Sequence, residues 1–155
     1  MIIEFKKGLS SKQIDQLIDY SLTDDAVAKF TSDRERFKDR EAFAKWKEKG
    51  REIFTLTNEN DDLLGIIWLG IKKLPERNYL EKVDSEKYQS SFAIRIYGEA
   101  RGKGLSLDFM KDCLKMDGVW LEVSDDNLAA KSLYGKFGFR QVSEVDENNK
   151  IIMIY

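Results

Sequence analysis

Hydrophobic spacing alternates along this chain between a period of two and a period near 3.6, and the switches mark its elements. Residues 2 to 6 read as a short strand. Ser10 and Gln13 then form a capping-box pattern ahead of Ile14, Leu17, Ile18 and Leu22 at helical spacing. A second helix is predicted over residues 33 to 48, with Asp33 at its start, Phe37, Phe43, Ala44 and Trp46 as buried candidates and Gly50 as its stop. The charges of DRERFKDRE read as the solvated face of that helix. REIFTLT and LLGIIWLGI flank the turn-rich NENDD as a hairpin whose second strand is apolar on both faces, hence central in a sheet.

Residues 72 to 90 hold the single proline, Pro75, many charges and no clear period, which predicts a long loop over a binding site. From Ser91 the pattern sharpens. SFAIRIY sets Phe92, Ile94 and Ile96 against Ala93, Arg95 and Tyr97, and a glycine-rich loop leads into a helix through Lys115. VWLEV is the next strand, NLAAKSLYGKF the next helix, and GFRQVSEV with KIIMIY forms a closing hairpin around DENN. The predicted order is β-α-α-β-β-β-α-β-α-β-β.

Composition narrows the chemistry. At 155 residues the chain fits one domain, residues 1 to 155, with enough core to need no disulfide or structural metal. Charged residues make up 35% of it, of both signs and scattered, with a net charge of -2, so no nucleic-acid footprint is expected. There is no histidine, which excludes a histidine base, a Ser-His-Asp triad and a histidine-ligated metal. Cys113 is the only cysteine, so it makes no internal disulfide and no cysteine-based zinc site; its spacing with Phe109, Met110 and Leu114 reads as a buried apolar position. No 18-residue apolar run and no signal-peptide pattern occur, giving the expectation of a cytoplasmic protein without a membrane partner.

The stretch GEARGKGLS, Gly98 to Ser106, looks made for phosphate. It is not a P-loop, because only three residues separate Gly98 from Gly102 and Gly104 follows Lys103. It is not a dinucleotide fingerprint either, because the third glycine position is Leu107. Placed where a strand turns into a helix, its backbone N–H groups and the positive helix end face one anion, and a pyrophosphate fits. Arg101, Gly102, Gly104 and Ser106, followed by LEVSDDNLAAKSLYGKFGF, resemble the two signatures of the GNAT superfamily of acyl-CoA N-acetyltransferases. Glu122, Asn127, Tyr134 and the closing Phe137 to Phe139 are similar to the branch that acetylates the N-terminal amine of a bacterial ribosomal protein.

That resemblance implies an α/β GNAT fold, a mixed and mostly antiparallel central sheet flanked by helices, with acetyl-CoA as co-substrate and no metal. It implies that the pantetheine pairs with the backbone of Ile94, Arg95 and Ile96. The diphosphate would lie on Arg101, Gly102, Lys103, Gly104, Leu105 and Ser106, with Asn127 also touching the cofactor. Ser124 and the neighbouring aspartates read as helix caps. Acetyl transfer to an amine needs a base, an oxyanion donor and a proton for the thiolate. The resemblance makes Glu122 the base, directly or through water, and Tyr134 the thiolate acid, with a backbone N–H near Ile96 for the oxyanion. Direct transfer to a primary amine in a ternary complex is the implied reaction. The acceptor is a small amine, a protein N-terminus or a lysine, and the protein a monomer or homodimer. The alternative is a non-catalytic acyl-CoA-binding regulatory module.

Overall fold

A computed structural model describes residues 1 to 155. It contains seven strands and six helices: β1 (Ile3–Lys7), α1 (Ser11–Thr23), α2 (Asp25–Phe30), α3 (Asp33–Arg36), α4 (Arg40–Glu48), β2 (Arg51–Asn58), β3 (Leu63–Ile71), β4 (Ser90–Ile96), α5 (Leu105–Cys113), β5 (Val119–Ser124), α6 (Leu128–Phe137), β6 (Arg140–Gln141) and β7 (Lys150–Ile154). The strands form one sheet in the order β1-β2-β3-β4-β5-β7-β6. It is mixed and mostly antiparallel, and β4 with β5 is its parallel pair. No helix is long and apolar enough to cross a membrane.

The chain divides into two compact units. The first comprises Met1–Trp68 and Ile94–Leu105. Here β1 runs antiparallel to β2, from Ile3 opposite Asn58 to Lys7 opposite Phe54. The Ser10 hydroxyl accepts from the Gln13 N–H, and the Gln13 side chain accepts from the Ser10 N–H, so the predicted capping box starts α1. Asp24 closes α1 and at once caps α2, accepting from the N–H groups of Ala26 and Val27. The sequence pattern missed this helix.

The predicted helix over 33 to 48 is instead two helices. Phe37, with no exposed surface, leaves helical geometry to fill the core, packing edge-on against Trp46 and Trp68 at centroid distances of 4.9 and 5.8 Å. Asp39 then restarts the chain as the N-cap of α4, its carboxylate accepting from the Ala42 N–H at 2.8 Å. DRERFKDRE is not simply a solvated face either. Asp33 is fully buried, in ion pairs with Arg36 and Arg95.

The second unit comprises Leu69–Ala93 and Ser106–Tyr155. Its strand β7 lies antiparallel to β5, with Glu122 opposite Ile152, and β6 pairs with β7 for two residues only. After β6 the chain bridges Ser143 to Tyr79, so part of segment 72–90 stands where a longer hairpin strand was expected. Leu74, Trp120, Val142, Ile152 and Ile154 form a buried cluster against which Tyr79, Val83 and Tyr88 pack. That packing holds the 72–90 segment against the sheet; a backbone bond from Leu74 to Tyr88 closes the segment on itself and one from Leu80 to Val142 ties it to the residue after β6, both 2.8 Å. Cys113 is buried beside Phe109 and Met110 on α5, as its spacing predicted.

Candidate functional site

In the first unit, the glycine-rich loop occupies the expected strand-to-helix connection. Gly102 and Gly104 have φ of +77° and +71°, the left-handed region in which a side chain is strained. A Cβ at either position would meet nothing within 4 Å. Arg101 to Gly104 are exposed, and the residue directly ahead of α5, Gly104, has no side chain. These features fit an anion approaching the backbone closely. Arg101 is already engaged: its Nη2 donates to Asp24 at 2.6 Å and to the Ile96 carbonyl at 3.0 Å. Burial alone would raise the Asp24 carboxyl, but Arg101 and the α2 N–H groups outweigh it and hold the group below its ordinary value.

Residues Ile94, Arg95 and Ile96 divide between the two edges of β4. The Tyr97 N–H donates to the Leu64 carbonyl at 2.8 Å, and a Cβ on Gly65 would stand 2.9 Å from the Arg95 carbonyl. Arg95 and Tyr97 therefore turn their backbones toward β3, and strand alternation turns those of Ile94 and Ile96 the other way. The Ile94 and Ile96 carbonyls accept from the side chains of Arg95 and Arg101, at 2.9 and 3.0 Å. Each keeps a second lone pair. The Arg95 guanidinium also grips Asp33 with two bonds of 2.7 and 3.2 Å and lies 4.9 Å from the Trp68 ring.

The Tyr97 ring is buried and stacked on Tyr20 at 4.4 Å, with no partner for its hydroxyl; burial raises the phenol far above its ordinary value.

In the second unit, the β4–β5 ladder consists of two pairs, Ser90 with Val119 and Ser91 with Trp120. Phe92 and Ala93 already lie beyond it. On β5, Leu121 and Val123 are buried while Glu122 projects from the opposite face with 38% of its side chain exposed. It is not a free carboxylate. Its Oε2 accepts from Arg77 Nη2 in a short ion pair, and Arg77 Nη1 reaches Asp146 Oδ2 at 2.6 Å. Asp146 Oδ1 in turn accepts the N–H groups of Asn148 and Lys150, at 2.8 and 2.9 Å. Those backbone donors, with Arg77, hold the Asp146 carboxyl below the ordinary carboxylate value. Arg77 and Asp146 also line an open cavity of about 500 Å³ with Glu76, Glu144 and Glu147.

Tyr134 is 7% exposed and packs edge-on against Phe92 and Phe139, with centroids 6.3 and 5.9 Å away. Asn127 is the N-cap of α6, its Oδ1 accepting from Ala130 at 3.3 Å. The capping role expected of Ser124 and the aspartates thus falls to Asn127. Ser124 accepts from Lys150 instead, and Asp125 pairs with Lys131. Capping uses only the Asn127 oxygen, so its amide donors remain for a ligand. Sequence reasoning missed Arg77 and Asp146 altogether. The one available signal was an arginine in a long segment already marked as overlying a site.

No family model matches the sequence, and no curated protein is similar to it. Solved structures do match. A spermidine N-acetyltransferase from Vibrio cholerae in complex with CoA and spermine superposes with a TM-score of 0.67 at 17% identity, covering 97% of this chain and 92% of that one. Arabidopsis thaliana NAA60 in complex with acetyl-CoA superposes with a TM-score of 0.66 at 15% identity, covering 99% and 97%. The chain has the fold of these proteins, as its two signatures implied.

Proposed function

We propose that the protein is an acetyl-CoA-dependent N-acetyltransferase acting on a primary amine by direct transfer in a ternary complex. The observation that carries this reading is the exposed Arg101–Gly104 loop, with two left-handed glycines and open space at each missing Cβ. Together with the first turn of α5, Leu105 and Ser106, it offers backbone donors to a diphosphate, and Lys103 adds charge. The shared fold with CoA-bound proteins supports the same assignment.

The Ile94 and Ile96 backbones, turned away from β3, suit a pantetheine amide chain, and Arg95 serves by fixing the strand through Asp33. Acetyl-CoA supplies the activated acyl group. Glu122 accepts the proton that the amine loses as the N–C bond forms, and the Tyr134 hydroxyl gives one to sulfur as the C–S bond breaks. The carboxylates of the 500 Å³ cavity favour an acceptor that is cationic in solution.

The test has two arms. In calorimetry CoA should bind and pantetheine, which lacks the diphosphate, should bind far more weakly. Gly104→Val should abolish CoA binding while circular dichroism shows a retained fold. Unchanged affinity in the folded variant would overturn the loop assignment. In the second arm, release of free CoA is followed with spermidine, a peptide bearing a free N-terminus and Nα-acetyl-lysine. CoA binding without release above background for any of them would replace catalysis by the binding-module reading.

A further inference from the structure

We propose that Arg77 is a positioning residue that fixes the Glu122 carboxylate for proton transfer, and that Asp146 acts through it. The proposal rests on the reading of Glu122 as the base. Three observations carry it. Arg77 sits in a segment that hydrophobic contacts hold against the sheet: Leu74 is buried in the Trp120 cluster three residues before it, and Tyr79 packs there two residues after. Its guanidinium spans two carboxylates through different nitrogens, Nη2 to Glu122 and Nη1 to Asp146. Asp146 is itself fixed by two backbone N–H groups, of Asn148 in the β6–β7 connection and of Lys150 at the start of β7.

Orientation therefore passes from a rigid turn to Asp146, from Asp146 to a planar fork, and from that fork to one oxygen of Glu122. A glutamate on a strand has three side-chain torsions to settle, and a single bond to Oε2 removes most of that freedom while leaving Oε1 for the amine or a water. A lysine could not do the same. Its ammonium is a point charge on a flexible stem and lacks the flat fork that meets two carboxylates in one geometry. The arrangement also assigns a role to segment 72–90 within the reaction: it brings the guanidinium to a strand 45 residues further along the chain.

The test is a double-mutant cycle on turnover, with acetyl-CoA and the fastest acceptor of the amine panel. Arg77→Met keeps the apolar stem and removes the fork. It should lower kcat by roughly 10- to 10²-fold and leave the KM for acetyl-CoA unchanged. Arg77→Lys should fall between this variant and the parent. Asp146→Asn keeps the acceptor that the turn uses and turns an amide toward Arg77, so it should lower kcat in the same direction by less. In a Glu122→Gln background, Arg77→Met should cause no further loss. Independent, multiplying losses for Arg77→Met and Glu122→Gln would overturn the positioning role while leaving Glu122 as the base. A parental rate for Arg77→Met would overturn it as well. A parental rate for Glu122→Gln would remove the base and this inference together. If Arg77→Met fails to fold, Arg77→Lys and Asp146→Asn carry the same cycle against Glu122→Gln.

Discussion

Arg95 and Arg77 are each bound to two groups by a forked guanidinium, yet they stand in opposite circumstances. Around Arg95, Asp33 has no exposed side-chain surface, Arg36 joins it at 2.5 Å, and Trp68 lies against both cations. Around Arg77, more than a third of the Glu122 side chain faces solvent. An arginine–carboxylate pair is thus a buried lock in one unit and a part-exposed pair in the other. The difference teaches that burial, not the presence of an ion pair, separates a carboxylate closed off from solvent from one that solvent still reaches.

The largest effect should come from breaking the lock. Asp33→Ala leaves two guanidiniums facing each other in a largely buried setting, and should cost about 3–5 kcal/mol of stability, read from urea midpoints. The loss has a pH signature. Burial alone would raise the Asp33 carboxyl, but Arg95 and Arg36 outweigh that and hold it below its ordinary value. Its contribution is complete above the unfolded value of ~3.9 and is lost as pH falls through the lower folded value. The stability gap between the parent and Asp33→Asn should accordingly narrow as the pH is taken from 7 to below 4. A gap that stays constant would mean that Asp33 acts by packing alone.

An intermediate effect is expected at Asp39, an exposed carboxylate that serves the backbone rather than a cation. Asp39→Ala removes the cap of α4 and should cost ~1 kcal/mol in the same denaturation series. The smallest belongs to the exposed pair: Glu122→Gln should alter stability by less than about 1 kcal/mol, because a half-solvated ion pair contributes little. A destabilisation as large as that of Asp33→Ala would erase the contrast between the two sites.

The contrast also explains what could be read in advance. The glycine loop was legible because left-handed backbone at Gly102 and Gly104 demands one residue type, so its chemistry is written locally. Glu122 stood out through the family resemblance of LEVSDDNLAAKSLYGKFGF, in which it sits between Leu121 and Val123. Asp33 was misread for the converse reason. The three residues after it, Arg34 to Arg36, are all charged, and the partner that draws it into the core, Arg95, lies 62 residues away. Arg77 was invisible on the same ground, since it answers to Glu122 and Asp146 at separations of 45 and 69 residues. The break between α3 and α4 was a nearer miss, because an aspartate immediately ahead of an apolar helical run is a start signal. Periodicity carried across Phe37, whose aromatic core partners include Trp68, a residue that no local window contains.

Cys113 has one further use. As the chain's single thiol, 7% exposed on α5, it is a built-in reporter of how often that helix opens. A soluble disulfide reagent can modify it only in molecules whose local packing has come apart, so the labelling rate measures the population of that opened state. The same reagent detects released CoA in a turnover assay. A burst of one thiol per chain under denaturing conditions, and a slow drift under native ones, sets the blank against which product is counted. If CoA binding steadies the start of α5, that drift should slow in its presence when followed by mass spectrometry. The core cysteine would then register cofactor occupancy without any acceptor amine.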